Sequence, residues 1–249
     1  MPLQKLKFNP GVDRENTRYA AEGGWYETDK VRFRRGMPQK IGGWVRLSAS
    51  TFLGVCRSML NWVTLQQQNL VSVGTNLKYY IERGGAYFDI TPIRATATLT
   101  NPFTTTLNST TVLVTDNAHG ALQNDFVTFS GASAVGGLTL NGEFQISFVD
   151  ANSYNITAAS QASSGATGGG TVTAAYQVNT GNEIAVPFTG WSAGAWGAGT
   201  WGVGGATLAP IRLWSQANFG EDLFFGYRGG SLFYWDASTG VNTRAVYVT

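Results

Sequence analysis

One cysteine and one histidine are all that the 249 residues hold of the side chains most used for metal binding and nucleophilic catalysis. A lone Cys56 excludes an internal disulfide, and one Cys with one His cannot complete a zinc site. Cys56 stands in the apolar run FLGVC and is expected to be a buried, inert thiol. His119 lies in an Asn-Ala-His-Gly turn, and no Gly-x-Ser-x-Gly elbow accompanies it. No phosphate-binding loop occurs, and the glycine runs do not open helices. The carboxylate pairs Glu27/Asp29, expected on one strand face, and Glu221/Asp222 have a spacing too common to mark a glycosidase. The sequence thus reads as a non-enzyme without a cofactor or metal. No run of 18 apolar residues is present, and Met1-Pro2-Leu3-Gln4-Lys5 does not open an apolar signal region. The expectation is synthesis and assembly in the cytoplasm, with no membrane insertion.

Charge is also scarce: only 13% of residues are Asp, Glu, Lys or Arg, about half the usual share. What charge there is divides by sign. Residues 1–94 hold 14 Lys and Arg against 7 acids, residues 95–190 hold five acids and no Lys or Arg, and residues 191–249 balance. Such asymmetry predicts different neighbours for the two parts. The basic part suits nucleic acid or an acidic protein surface, or is simply a solvated face.

What is plentiful is glycine, 32 residues, with many Ser, Thr and Asn between short apolar runs, and this composition predicts an all-β chain rich in turns. The stretch Glu22–Trp44 organises its start. Two Gly-Gly-Trp turns bracket a basic strand in which Val31 and Phe33 alternate with Lys30, Arg32 and Arg34, and Arg35-Gly36-Met37-Pro38 follows as a turn.

The string DKVRFRRGMPQKIGGW, with its lead-in FNPGVDRENTRYAAEGGWY, resembles the amino-terminal signature of tail nozzle proteins of short-tailed phages (podoviruses), the tail tubular protein B type. The resemblance covers residues 7–47, with a weaker likeness at 62–93 and 212–240. It implies a β-propeller-based subunit of a hexameric ring below the head–tail connector, channelling DNA during ejection. Its partners would be copies of itself, the connector or adaptor, tail fibre or tip proteins, and transient double-stranded DNA. Its place would be the phage tail of the virion, assembled in the host cytoplasm. Lys30, Arg32, Arg34 and Arg35 would then face the connector or the DNA.

Residues 1–50 read as an arm and basic β unit, and 51–94 as a meander of four short strands. Residues 212–249 repeat that meander. At an offset of 152, Trp62, Val71, Val73 and Gly74 match Trp214, Leu223, Phe225 and Gly226; at 155, Leu77, Tyr79 and Tyr80 match Leu232, Tyr234 and Trp235. Such units behave like propeller blades, yet two do not close a ring. The chain is a piece of a longer one, or blades from several subunits combine, or the meanders belong to another β fold.

Between the repeats, residues 95–187 carry five or more short strands separated by turns, the pattern of an inserted β-sandwich or barrel. Its HGALQNDFVTFSGA and NGEFQISFVDANSYNIT also resemble small β modules of phage tail proteins. Residues 188–211 are a Gly/Trp-rich loop in which Trp191, Trp196 and Trp201 recur every five residues. Indoles so spaced anchor a pliable backbone to its own core or to a neighbouring subunit, or stack on sugars or bases. The expected fold is all-β, a partial β-propeller with an inserted sandwich or barrel. The expected function is a nozzle subunit of a phage tail, with a receptor- or glycan-binding tail module as the alternative.

Overall fold

The computed structural model describes residues 8–15, 17–20, 23–43, 45–46, 48–184 and 211–248. They fall into two compact units, Met1–Leu47 and Ser48–Thr249.

The first unit is built on a hairpin of β1 (Val31–Arg34) and β2 (Met37–Lys40), paired antiparallel from Val31↔Lys40 to Arg34↔Met37. Arg35 at φ +51° and Gly36 at φ +78° form its two-residue turn. Two left-handed residues give the turn the twist of the flanking strands. The strand is thus shorter than the sequence predicts: Lys30, at φ +55°, lies just ahead of it. Glu27 and Asp29 also precede the strand, so they do not share a strand face.

In the second unit, alternating apolar residues and glycine turns give two four-stranded antiparallel meanders. The first has the order β3 (Cys56–Val63), β4 (Asn69–Thr75), β5 (Tyr79–Arg83), β6 (Ala86–Asp89). Between the meanders the chain builds nine strands: β7 (Ile93–Thr100), β8 (Phe103–Thr105), β9 (Thr111–Thr115), β10 (Phe126–Ser130), β11 (Gly142–Gln145), β12 (Ser147–Asp150), β13 (Ser153–Thr157), β14 (Ala166–Gly168) and β15 (Thr171–Gln177). The second meander follows as β16 (Trp214–Phe219), β17 (Asp222–Tyr227), β18 (Leu232–Trp235) and β19 (Val246–Tyr247). The protein is therefore all-β.

The nine strands form two sheets, β11-β10-β15-β7 and β12-β13-β9-β8-β14. Their inner faces share one core that includes Phe103, Val114, Val127, Phe129, Tyr154 and Tyr176. Phe103 and Phe129 meet edge to face across the sheets, ring centroids 5.1 Å apart. The strands that enter and leave this sandwich pair with each other, β7 with β15, and the Val178 N–H donates to the Pro92 carbonyl at 3.0 Å.

The two meanders stack on a second core. Leu60, Trp62, Leu70, Tyr79 and Ile81 of the first sheet meet Trp214, Leu223, Phe225, Phe233 and Trp235 of the second. Tyr79 lies flat on Phe225 with centroids 3.8 Å apart. Burying each large apolar side chain is worth about 1.5–3 kcal/mol, against about 1 kcal/mol net for a hydrogen bond, so aromatic burial holds the stack. The hydrogen bonds orient it. The Trp62 indole donates to the Glu221 carbonyl at 2.9 Å, and the Trp214 indole donates back to the Thr75 carbonyl at 2.7 Å.

Strand pairing fixes which residues of the two meanders correspond. Gly74 and Gly226 each stand in the last pair before their hairpin loop, opposite Tyr79 and Leu232, so Val73, opposite Met59 and Tyr80, corresponds to Phe225, opposite Gln216 and Phe233. The offset of 152 therefore fits β4 and β17. It does not extend to the tryptophans: the counterpart of Trp62 is Phe219, and Trp62 and Trp214 are reciprocal donors, not equivalents. In β5 the counterpart of Tyr80 is Phe233, two residues short of Trp235. A two-residue slip leaves every side chain on its proper face. Two such sheets do not close a ring, and the described residues hold no third four-stranded meander.

Candidate functional site

The basic hairpin owes its shape to an aromatic anchor on one side. Phe33 meets Trp25 at 6.2 Å between centroids, and Trp25 meets Phe8 at 5.9 Å. The lead-in is tied to the same place, with the Asn9 N–H on the Gly23 carbonyl at 2.7 Å and the Asp13 N–H on the Trp25 carbonyl at 2.9 Å. Alternation then sends Arg32 and Arg34 to the opposite face, beside Gln39 and Met37.

All four predicted basic residues, Lys30, Arg32, Arg34 and Arg35, are exposed. Lys30 lies 3.7 Å from Asp29, and Arg14 lies 3.5 Å from Glu27. Such exposed pairs contribute little to stability. Among the described residues, no carboxylate pairs with Arg32, Arg34 or Arg35. Three guanidinium groups, each with a planar fork of N–H donors, are thus exposed on one short, anchored hairpin with no carboxylate partner among the described residues. The predicted anchors Trp191, Trp196 and Trp201 lie outside the described residues.

A second cluster escapes sequence reading. Lys78 is 3% exposed, and its ammonium reaches Asp89 of β6 at 2.8 Å and Glu143 of β11. Arg244 joins both carboxylates, at 3.2 and 3.4 Å, and donates to the Thr91 carbonyl at 2.8 Å. Gln177 of β15 donates to Glu143, and the Phe126 ring lies 4.4 Å from the Lys78 ammonium. Burial pushes the Asp89 carboxyl up, but Lys78 and Arg244 outweigh it and hold it below the usual carboxylate range. The node ties the sandwich to the first meander and to the chain after β18. The one signal for it was that residues 95–190 hold five acids and no Lys or Arg, so a buried carboxylate there takes either neutral donors, as Asp125 does from Asn179 and Thr180, or a cation from outside, as Glu143 does.

The described residues offer little that resembles catalytic geometry. His119 is buried, its Nδ1 accepting the Ala121 N–H and its Nε2 paired with the Asp150 carbonyl, both at 2.9 Å. Both ring nitrogens are committed to backbone. His119→Phe keeps an aromatic ring, though a larger one, and strands one donor and one acceptor. We expect it to cost about 2 kcal/mol in denaturant unfolding; a change within about 0.5 kcal/mol would show those bonds to be dispensable. Asp222 accepts the Tyr234 hydroxyl at 2.6 Å and the Ala237 N–H at 2.9 Å, while Glu221 accepts the Leu65 N–H. Cys56 is half-buried, not buried as its apolar neighbours suggest. It faces the Ser58 carbonyl at 3.6 Å, and partial burial pushes its thiol up. No helix among the described residues is long and apolar enough to cross a membrane.

No family model matches the chain. No curated protein matches it. Among solved structures, one titled "Phage phi92 endosialidase" is similar at 16% identity and a TM-score of 0.32, covering 78% of this chain. The match spans 28% of that longer chain. A likeness so loose says nothing of activity here.

Proposed function

We propose that this protein is a structural subunit of a phage tail, a nozzle component that forms a hexameric ring below the head–tail connector and channels DNA during ejection. The observation that carries this reading is the exposed guanidinium row of Arg32, Arg34 and Arg35 on an anchored hairpin. It lies within residues 7–47, the stretch that resembles nozzle proteins. The row suits an anionic neighbour, either an acidic face of the connector or passing phosphates. The protein acts by assembly rather than catalysis, and needs no cofactor. Its partners are its own copies, the connector, tail fibre or tip proteins and, transiently, double-stranded DNA. Its place is the virion.

Electron microscopy of the full-length protein purified with its neighbours tests this. A sixfold ring with a central channel is expected; a particle that stays a monomer or trimer beside a connector overturns it. A conduit must let DNA slide, so duplex binding should be weak, sequence-independent and steeply salt-dependent. Replacing Arg32, Arg34 and Arg35 together by Ala should flatten the slope of log K against log salt by as much as about 3. Sub-micromolar, sequence-selective binding at physiological salt would contradict the conduit role.

A further inference from the structure

In the stack of meanders, equivalent residues point the same way. Val71 and Val73 of β4 face away from the second meander, while their counterparts Leu223 and Phe225 face toward the first. The two sheets therefore pack head to tail: the rear of the first meets the front of the second. The rear of the second sheet is the register equivalent of a surface already covered in the first. Phe219 stands where Trp62 stands in the first sheet, Phe224 where Ser72 stands, Leu232 where Tyr79 stands and Tyr234 where Ile81 stands.

That rear face is apolar and open. Phe219 is 74%, Leu232 50% and Val246 58% exposed, and Phe224 and Tyr234 are half-buried beside them. It also has a seat. In the first sheet Gly74 makes room for the indole of Trp214, so close that a Cβ there would lie 2.5 Å from the ring. The counterpart of Gly74 is Gly226, where the Ser231 carbonyl of its own hairpin fills the Cβ position at 2.9 Å; beside it lies an open groove of ≈ 440 Å³ lined by Ala217, Phe224, Arg228 and Leu232.

At the other end of the stack, the front of the first sheet also carries exposed apolar side chains, with the polar Asn61 between them. The chain at Phe52–Val55 lies against Tyr80 and Tyr87 of that face. Even so, Leu53 is 51%, Met59 65% and Val63 55% exposed. Met59 is a flexible side chain suited to an irregular groove.

We propose that the rear face of the second meander docks a second copy of this chain, by the front face of that copy's first meander. The contact joins the same two faces, rear to front, as the stack within one copy, but through the exposed rim of Leu53, Met59 and Val63, because Val73 and Tyr80, the counterparts of Phe225 and Phe233, are only 1% and 6% exposed. It is heterologous, so it propagates or closes into a ring. It depends neither on six copies nor on a phage tail.

Sedimentation velocity of the chain between about 1 and 100 μM tests it. The wild type should associate with concentration. Leu232→Lys on the rear face and Met59→Lys on the front face should each weaken association by about tenfold or more. Both sites are exposed, so circular dichroism should show each variant folded; Phe219→Lys is a second rear-face variant should Leu232→Lys unfold. Mixing the two variants is decisive, because each keeps one intact face, and a one-to-one dimer should form. A monomeric wild type at the top concentration overturns the proposal. So does a Met59→Lys protein that associates like the wild type, which would mean that rear faces pair with each other. A sixfold ring with these variants unaffected would leave the nozzle reading standing and remove this one.

Discussion

Replacing Gly74 by Ala should destabilise the protein by about 3 kcal/mol, more than a single methyl group costs at almost any exposed position. The added carbon would lie 2.5 and 2.7 Å from the Trp214 ring and 2.8 Å from the Ser58 hydroxyl. Ordinary contacts begin nearly an ångström further out, so something must move. Trp214 cannot do so freely. Its indole N–H is bonded to the Thr75 carbonyl, and its ring packs on the edges of Tyr79 and Tyr227, at 4.9 and 5.4 Å. The strain must therefore be met by parting the two sheets, which exposes the aromatic core between them. Urea unfolding measures the loss. Gly43→Ala, where a Cβ meets nothing within 4 Å, is the control and should stay within about 0.5 kcal/mol. Adding Trp214→Phe to Gly74→Ala should recover part of the loss, since the smaller ring leaves room. A Gly74→Ala protein as stable as the wild type would mean that the sheets stack less tightly than this.

Gly74 also shows how far the sequence is legible. Its identity as a strand-end glycine, and its match to Gly226, follow from alternation and turn residues, which are local signals. So do the two meanders and the short strands between them. What lies in the stack is not local. Tyr79 and Tyr80 look like the partners of Tyr234 and Trp235 because aromatic matches aromatic. Pairing decides otherwise, because three residues separate β4 from β5 and four separate β17 from β18. The tryptophans mislead in the same way: their shared spacing comes from two different duties, each donating across the stack.

The basic hairpin was legible in outline, since Val31 and Phe33 alternate with cations. Its ends were not, because Lys30 and Arg35 adopt left-handed conformations that long side chains seldom choose. Lys78 was illegible altogether. Within LKYYI it has the look of a solvated strand residue, and its carboxylate partners lie 11 and 65 residues away.

Lys78 carries the other large expected effect. Lys78→Met keeps the length of the side chain and removes its charge, leaving Asp89 and Glu143 to share Arg244 alone. Breaking a buried ion pair costs about 3–5 kcal/mol. Here Asp89 keeps 21% and Glu143 31% of the side chain in contact with water, so a loss of about 2–3 kcal/mol at neutral pH is expected. The sign of its pH dependence separates this from a packing defect. Asp89 has a folded pKa held below its ordinary 3.8, so it contributes stability that is full above that value and fades as the pH falls through the folded one. Without Lys78, the burial that raises this carboxyl is opposed by less, and its folded pKa moves up. The variant then gains relief from protonation just where the wild type loses its ion pair. The gap in stability between the two should be widest near neutrality and narrow below about pH 4. A gap that is constant from pH 7 to pH 3 would mean that Lys78 matters for its packing over Phe126 rather than for its charge. A wider gap in acid would reverse the electrostatic role assigned to Asp89.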